Sequence, residues 1–208
     1  GQAPHSDSYN MDGQGEVFIK TGDFGILRPT IKWYTTSPLV FASENDVFIC
    51  VVGATSGKVN LGVNGTISRS IAALSPKSRL LQKYLYYYLS FNYERLNDAA
   101  QGSAQGIINK TILSNIKVPI PPIAEQTAIA RYLDHQTAII DQLIQQKEKL
   151  IELLKLKRQA VINEAVTKGL DPSAPMKDSG IEWLGEVPEK WSVTKLKYIS
   201  SIISKGTT

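Results

Sequence analysis

One cysteine, Cys50, and two histidines, His5 and His135, are all that this 208-residue chain holds of the side chains that most often cross-link or bind metal. A single thiol excludes an internal disulfide framework and fits a reducing compartment, so a cytoplasmic protein is expected. The histidines lie far apart, with no cluster of cysteines or carboxylates at ligand spacing, so no metal site is expected. No apolar run approaches the roughly 20 residues that cross a bilayer. No basic, then apolar, then small-residue leader opens the chain, and no membrane association is expected. Cys50 sits in "DVFICVV", where a cysteine serves as a small core residue rather than a nucleophile.

Catalytic signatures are missing too. There is no nucleophile elbow and no glycine-rich dinucleotide loop. "VVGATSGKV" resembles a phosphate-binding GxxxxGK[ST] loop, but three residues rather than four separate Gly53 from Gly57, and Val59 replaces the magnesium-binding hydroxyl. A tight turn is the reading that remains. No catalytic residues are assigned.

What is present divides into dissimilar parts. Residues 1–120 are irregular, aromatic and β-rich. "EVFIKTGDF" alternates up to a turn at Gly22-Asp23, and glycines break Val47–Val52, Lys58–Val63 and Ile67–Leu74 into a meander of short strands. A helix is expected at about 78–91, its tyrosines packed on the sheet with phenolic oxygens at the rim. "DAAQGSAQGIINKT" reads as a loop and "ILSNIKVPIP" as a final strand. This region carries 11 basic and 8 acidic residues, whereas 121–175 carries 7 of each, so the surplus of a chain with net charge +4 lies in the β-rich part. Such mild basicity permits nucleic-acid binding without establishing it.

The stretch "PIPPIAEQTAIARYL" marks the change of architecture. Proline is excluded from helix interiors but suits the first turn, and it pushes the preceding residue toward extended backbone. Pro122 is the expected first helical residue, with Glu125 and Gln126 in the first turn, where a carboxylate suits the helix dipole. From there to "KGLDP" the pattern is helical. Ile140, Ile144, Lys147, Ile151, Leu154, Arg158, Val161 and Ala165 alternate in steps of four and three, a heptad seam with polar gaps at Lys147 and Arg158. Leu143 and Leu150 widen it. At about 1.5 Å per residue, a helix of about 45 residues makes a rod of roughly 65–70 Å, suited to a spacer or docking strut. Gly169 and Pro172 stop it. Residues 171–180 read as a linker. Residues 181–208 begin a new unit, with a turn at Val187-Pro188, two tryptophans and an alternating strand. Both ends read as cuts rather than natural termini. The fold class expected is α+β, a mixed β-rich domain (1–120) followed by a long coiled-coil-forming helix (121–170).

Together these pieces resemble the specificity subunit of type I restriction–modification systems. "VPIPPIAEQTAIARYLDHQTAIIDQLI", "LIELLKLKRQAVINEAVTKGLDP" and "MKDSGIEWLGEVPEKWSVTKLKYI" carry the resemblance in the second half. "GATSGKVNL", "GTISRSIAAL", "LYYYL" and "GSAQGIINKTILSNIKVPIPP" carry it in the first. The resemblance implies a bacterial or archaeal cytoplasmic subunit that performs no chemistry. It implies target-recognition domains that each read one half of a split double-stranded DNA site, separated by long helices that pack antiparallel. It also implies methyltransferase subunits held on those helices and, through them, a restriction and translocase subunit. S-adenosylmethionine would be bound by the methyltransferase and no cofactor by this chain. The chain spans about one repeat, so residues 181–208 would open a further recognition domain or complete 1–120 in permuted order. A half-subunit pairing with another copy or half, and a fragment of a longer chain, both stay open.

Within residues 1–120 the DNA-contacting candidates are polar and basic side chains in loops between apolar strands. A first group is Lys20, Thr21, Arg28, Lys32, Trp33, Tyr34, Thr35 and Thr36. A second is Thr55, Ser56, Lys58, Asn64, Ser68, Arg69 and Ser70. A third is Ser103, Gln105, Asn109 and Lys110. Arginine would suit guanine, and glutamine or asparagine adenine. A function of another class is a coiled-coil assembly protein whose β-rich domain binds a protein. DNA binding that falls steeply with salt separates the two.

Overall fold

The computed structural model of the chain describes residues 3–102 and 106–201. They divide between two compact units, Gly1–Ala138 and Ile139–Thr208. In the first, the strands are β1 (Tyr9–Asn10), β2 (Glu16–Ile19), β3 (Tyr34–Thr35), β4 (Phe41–Ala42), β5 (Val47–Cys50), β6 (Val59–Leu61), β7 (Gly65–Ile67) and β8 (Ile71–Leu74). Helices α1 (Gln82–Phe91), α2 (Tyr93–Gln101) and α3 (Lys110–Ser114) follow, and then α4 (Ile123–Lys168), which continues into the second unit.

One sheet runs β1-β3-β2-β7-β4, with the β2–β7 pair parallel (Phe18 against Thr66, Ile19 against Ile67). The other is antiparallel, β6-β5-β8. Strand β5 explains how they stack. All of its residues are buried, and successive side chains point to opposite faces. Val47 and Ile49 join Val59, Leu61, Leu85 and Leu89 in a core beneath α1 and α2. Phe48 and Cys50 face the other way, onto Ile19, Phe24, Ile67 and Ile71. The smaller sheet is therefore a middle layer, and a strand covered on both faces reads as an unbroken apolar run. Fully burying a side chain such as Phe48 or Ile49 contributes about 1.5–3 kcal/mol.

Several elements differ from expectation. The apolar run Ile67–Leu74 is two strands in two sheets, because the polar Ser68–Ser70 turn (Ile71 N–H to Ser68 O, 3.0 Å) lifts the chain from one to the other, so no simple meander forms. Helix α2 occupies the start of the stretch read as a loop from Asp98. The expected strand at 112–121 is absent. Asn109 accepts from Ile112 N–H (2.9 Å) and so caps α3, while Pro119, Pro121 and Pro122 have no N–H to donate to a ladder. Carbonyls of that irregular connector accept from side chains instead, Lys117 from the Tyr88 hydroxyl (2.6 Å) and Pro119 from that of Tyr84 (3.0 Å). Helix α4 starts one residue later than expected, at Ile123, since Pro122 supplies the carbonyl for Gln126 N–H (3.0 Å) and acts as the cap.

"GATSGK" joins two antiparallel strands, β5 and β6, where a phosphate-binding loop would join a strand to a helix. Ser56 closes it, donating both N–H and hydroxyl to Gly53 O.

In the second unit α4 ends at Lys168, and Gly169 takes the left-handed conformation (φ +80°) of a helix stop. Asp171 then accepts from the amide and hydroxyl of Ser173, which hold its carboxyl below the ordinary value. The expected linker contains strand β9 (Met176–Asp178), which pairs antiparallel with β10 (Glu186–Pro188) and pairs Val187 with Lys177. Val187-Pro188 is thus strand rather than turn. The turn follows it, with Trp191 N–H bonded to Pro188 O (2.8 Å). The alternating strand expected beyond Trp191 is not formed among the described residues, where Leu196–Tyr198 is a 3-10 turn.

Candidate nucleic-acid interface

Two junctions and one exposed face organise the side chains that matter. The first junction fixes the start of α4 to the first unit. Gln126 has no exposed surface. Its Oε1 accepts from Leu81 N–H (2.8 Å), at the start of α1, and its Nε2 donates to Arg79 O (2.9 Å) and Pro121 O (2.8 Å). Two turns further on, Asp134 accepts from Lys83 Nζ (2.6 Å) and the Tyr87 hydroxyl (2.9 Å), donors four residues apart on one face of α1. Burial pushes the Tyr87 phenol up, with the Thr137 hydroxyl opposing and Asp134 adding to the shift. Burial likewise raises Tyr84, helped by Tyr88 and Glu125. The hydroxyls of Tyr84, Tyr86, Tyr87 and Tyr88 therefore do not idle at a rim. They tie α1 to the connector, to Ile26 O and to α4. Sequence reasoning placed Gln126 only in the helix's first turn. A stripe of small or polar residues at 126, 130, 134 and 137, at helical spacing, was the available signal.

The second junction is at one end of the larger sheet. Lys20 follows β2, and Ser68 and Arg69 follow its parallel neighbour β7, with Ser68 N–H bonded to Ile19 O (3.0 Å). Trp33 precedes β3, its carbonyl accepting from Phe18 N–H (2.8 Å), so Lys32 lies at the same end. Register thus brings Lys20, Lys32 and Arg69 from separate segments to one end of the sheet. Lys20 Nζ stands over the rings of Trp33 (3.5 Å), Tyr9 (4.4 Å) and Phe18 (5.6 Å). Tyr9 and Phe18 stack at 4.8 Å. Two other cations are tethered. The Arg28 guanidinium donates to Gly62 O, and Lys58 Nζ to Phe24 O (3.0 Å). With Gly25 paired to the fully buried Asn60 side chain, these bonds dock the 24–28 loop on β6.

The remaining candidates scatter. Thr36, Thr55 and Lys110 are exposed, and Thr21, Tyr34, Trp33 and Ser70 half-buried. Asn109 is the α3 cap, and Asn64 Oδ1 accepts from Glu44 N–H (2.9 Å). Thr35 and Ser56 are fully buried and are corrected here to structural roles. Thr35 Oγ1 is bonded to the Ser8 hydroxyl and Ser37 N–H, and Ser56 closes the β5–β6 turn, because small hydroxyl residues satisfy turn amides where no longer side chain fits. Ser103 and Gln105 lie outside the described residues.

The exposed face is on α4 in the second unit. Ile140, Leu143, Ile144, Leu150, Ile151, Leu154 and Val161 each leave between 45% and 56% of their surface open, an apolar stripe at heptad spacing. Lys147 and Arg158 interrupt it, and Ala165 is half-buried. Among the described residues no helix is long and apolar enough to cross a membrane, and no cluster of three or more His, Cys, Asp or Glu could hold a metal.

A family model described as the type I restriction modification DNA specificity domain matches residues 13–153. The type I restriction enzyme MjaVIII specificity subunit of Methanocaldococcus jannaschii is 30% identical over 200 residues, 96% of this chain and 42% of that protein. The EcoDI specificity subunit of Escherichia coli is 27% identical over 138 residues, 59% of this chain and 31% of that one. Among solved structures, a chain from a study of complex assembly and conformational transition in a type I R-M system superposes with TM-score 0.74 at 32% identity, covering 82% of this chain and 43% of that one. The HsdS subunit of Thermoanaerobacter tengcongensis gives 0.63 at 33% identity, covering 82% and 42%. The chain thus spans less than half the length of each of these relatives.

Proposed function

Because this chain belongs to the type I restriction–modification DNA specificity family, we propose that its first unit reads one half of a split double-stranded DNA site and that α4 is the scaffold on which the complex assembles. The chain performs no chemistry in this reading. Adenine methylation with S-adenosylmethionine belongs to methyltransferase subunits docked on it, and translocation and cleavage belong to a restriction subunit reached through them, in a bacterial or archaeal cytoplasm. The observation that carries the proposal is that the β-rich unit is bolted to the start of a long helix whose continuation presents an open apolar stripe. A stripe of that width is costly in water and calls for a partner helix. A second copy of this chain, or a second half, is the partner that would place two reading units on one split site.

The basic end of the larger sheet supports the DNA assignment. Of the candidates, this reading assigns Lys20, Lys32 and Arg69 at that sheet end to the duplex, with the exposed Thr36, Thr55 and Lys110 as outlying contacts, phosphate contacts setting register and base contacts setting specificity. Light scattering across a concentration series tests the scaffold. A mass twice the 22.9 kDa of the chain supports pairing through the stripe, and a strict monomer points to a missing half or to the methyltransferase as the stripe's cover. Duplex binding that falls steeply with salt supports DNA recognition. Binding to a protein partner with little salt response supports the assembly-protein alternative.

A further inference from the structure

We infer that Lys20 is a preorganised contact to the DNA backbone phosphate, its ammonium held by the faces of Tyr9 and Trp33 rather than by a protein anion; this rests on the DNA-reading role proposed above. Three cations lie on the loops around β2 and β6, and they are treated differently. Arg28 and Lys58 already donate to backbone carbonyls, which uses them to fix the 24–28 loop. Lys20 has no carbonyl or carboxylate acceptor for its ammonium among the described residues, and aromatic faces surround it at 3.5 and 4.4 Å.

A π face attracts a cation without consuming its N–H groups. The three donors of the ammonium therefore remain for a ligand. Among the described residues no buried side-chain nitrogen lacks a partner, so this unbonded ammonium of the half-buried Lys20 is not sealed from solvent. Lysine gives up more rotamer freedom than most residues when it is fixed. Here that freedom is already lost in the free protein, and an incoming phosphate meets a placed charge. The position suits the task, since Lys32 and Arg69 share that end of the sheet. A single ammonium cannot grip a phosphate in bidentate fashion, so the contact carries affinity rather than sequence preference.

The test uses the full chain and a fluorescently labelled mixed-sequence duplex, titrated at several salt concentrations. Lys20→Met keeps the apolar packing and removes the charge. Its plot of log affinity against log salt should be shallower by about 0.9, with equal weakening on unrelated duplexes. Trp33→Phe keeps the charge and shrinks its holder. It should keep the wild-type slope and lose affinity by about 2- to 5-fold, the worth of an exposed cation–π contact. As a check independent of variant folding, acetylation of Lys20 followed by mass spectrometry should fall when DNA saturates the protein. A wild-type slope for Lys20→Met, wild-type affinity for Trp33→Phe, or undiminished acetylation overturns the inference while the DNA-reading role stands. Salt-insensitive or absent binding by the wild type overturns both.

Discussion

Replacing Gln126 by leucine should loosen the reading unit from its helix, and the cost can be worked from the contacts. The side chain is fully buried and makes three hydrogen bonds, to Leu81 N–H, Arg79 O and Pro121 O. Leucine is of similar size, so little cavity is created and the loss is polar. An orphaned buried N–H costs about 1–3 kcal/mol, and each net hydrogen bond about 0.5–1.5 kcal/mol. Arg79 is exposed and its carbonyl can recover water, so the expected loss is about 2–4 kcal/mol. With a urea slope of about 2 kcal/mol/M, the midpoint should fall by about 1–2 M. Gln126→Glu adds a signature. The introduced carboxyl has a donor for one of the two carbonyls only when protonated, and ionised it faces both, so its folded pKa is raised. Its relative stability is then present below the unfolded carboxyl pKa and is lost as pH rises through the folded value. Urea melts followed by circular dichroism, with exposed Glu125→Gln as control, make the assay. A Gln126→Leu midpoint within about 0.25 M of wild type, equivalent to about 0.5 kcal/mol and the range of ordinary surface changes, refutes the reasoning.

Tyr84 and Tyr87 both have phenols raised above 10.0. Their contribution is therefore complete below the unfolded tyrosine pKa and lost as pH climbs through the folded values, so alkaline unfolding should begin above about pH 10 and be blunted in Tyr84→Phe/Tyr87→Phe, read by circular dichroism across a pH series. Gly169→Val meets a left-handed backbone and places a side chain within 3.4 Å of the Trp191 ring. It should destabilise the second unit by at least about 1–2 kcal/mol, seen as a red shift and an early tryptophan transition on urea melting. Asp at Ile151 and Leu154 together should weaken any self-association through the stripe by about 2–4 kcal/mol, a shift of roughly 30- to 1,000-fold in dissociation constant by analytical ultracentrifugation, while leaving salt-dependent duplex binding by the first unit in place.

Much of this architecture was legible in the chain itself. Helix α4 combined a proline start, heptad spacing and a Gly169 stop, local signals that no tertiary contact had to supply. Strand β5 was legible because a strand buried on both faces is apolar throughout. The misreadings came from contacts distant in sequence. "ILSNIKVPIP" has strand-like composition, but the Asn109 cap and donorless prolines decide its conformation, and its carbonyls are satisfied by tyrosines more than 25 positions away. Met176–Asp178 is strand only because Glu186–Pro188 lies beside it. Of the candidate contacts, local sequence could not reveal that register brings Lys20, Lys32 and Arg69 to one sheet end, or that Thr35 and Ser56 are consumed internally. The aromatic holders Tyr9 and Phe18 were missed for the same reason.

The most direct test of the account is selection from a random duplex library by the full chain, alone and with the methyltransferase subunit of its own system. The account predicts enrichment of one short sequence, recurring in inverted orientation at a fixed spacing when two copies pair. Recovery of duplexes with no shared sequence, at affinities indifferent to the Lys20, Lys32 and Arg69 charges, would contradict it.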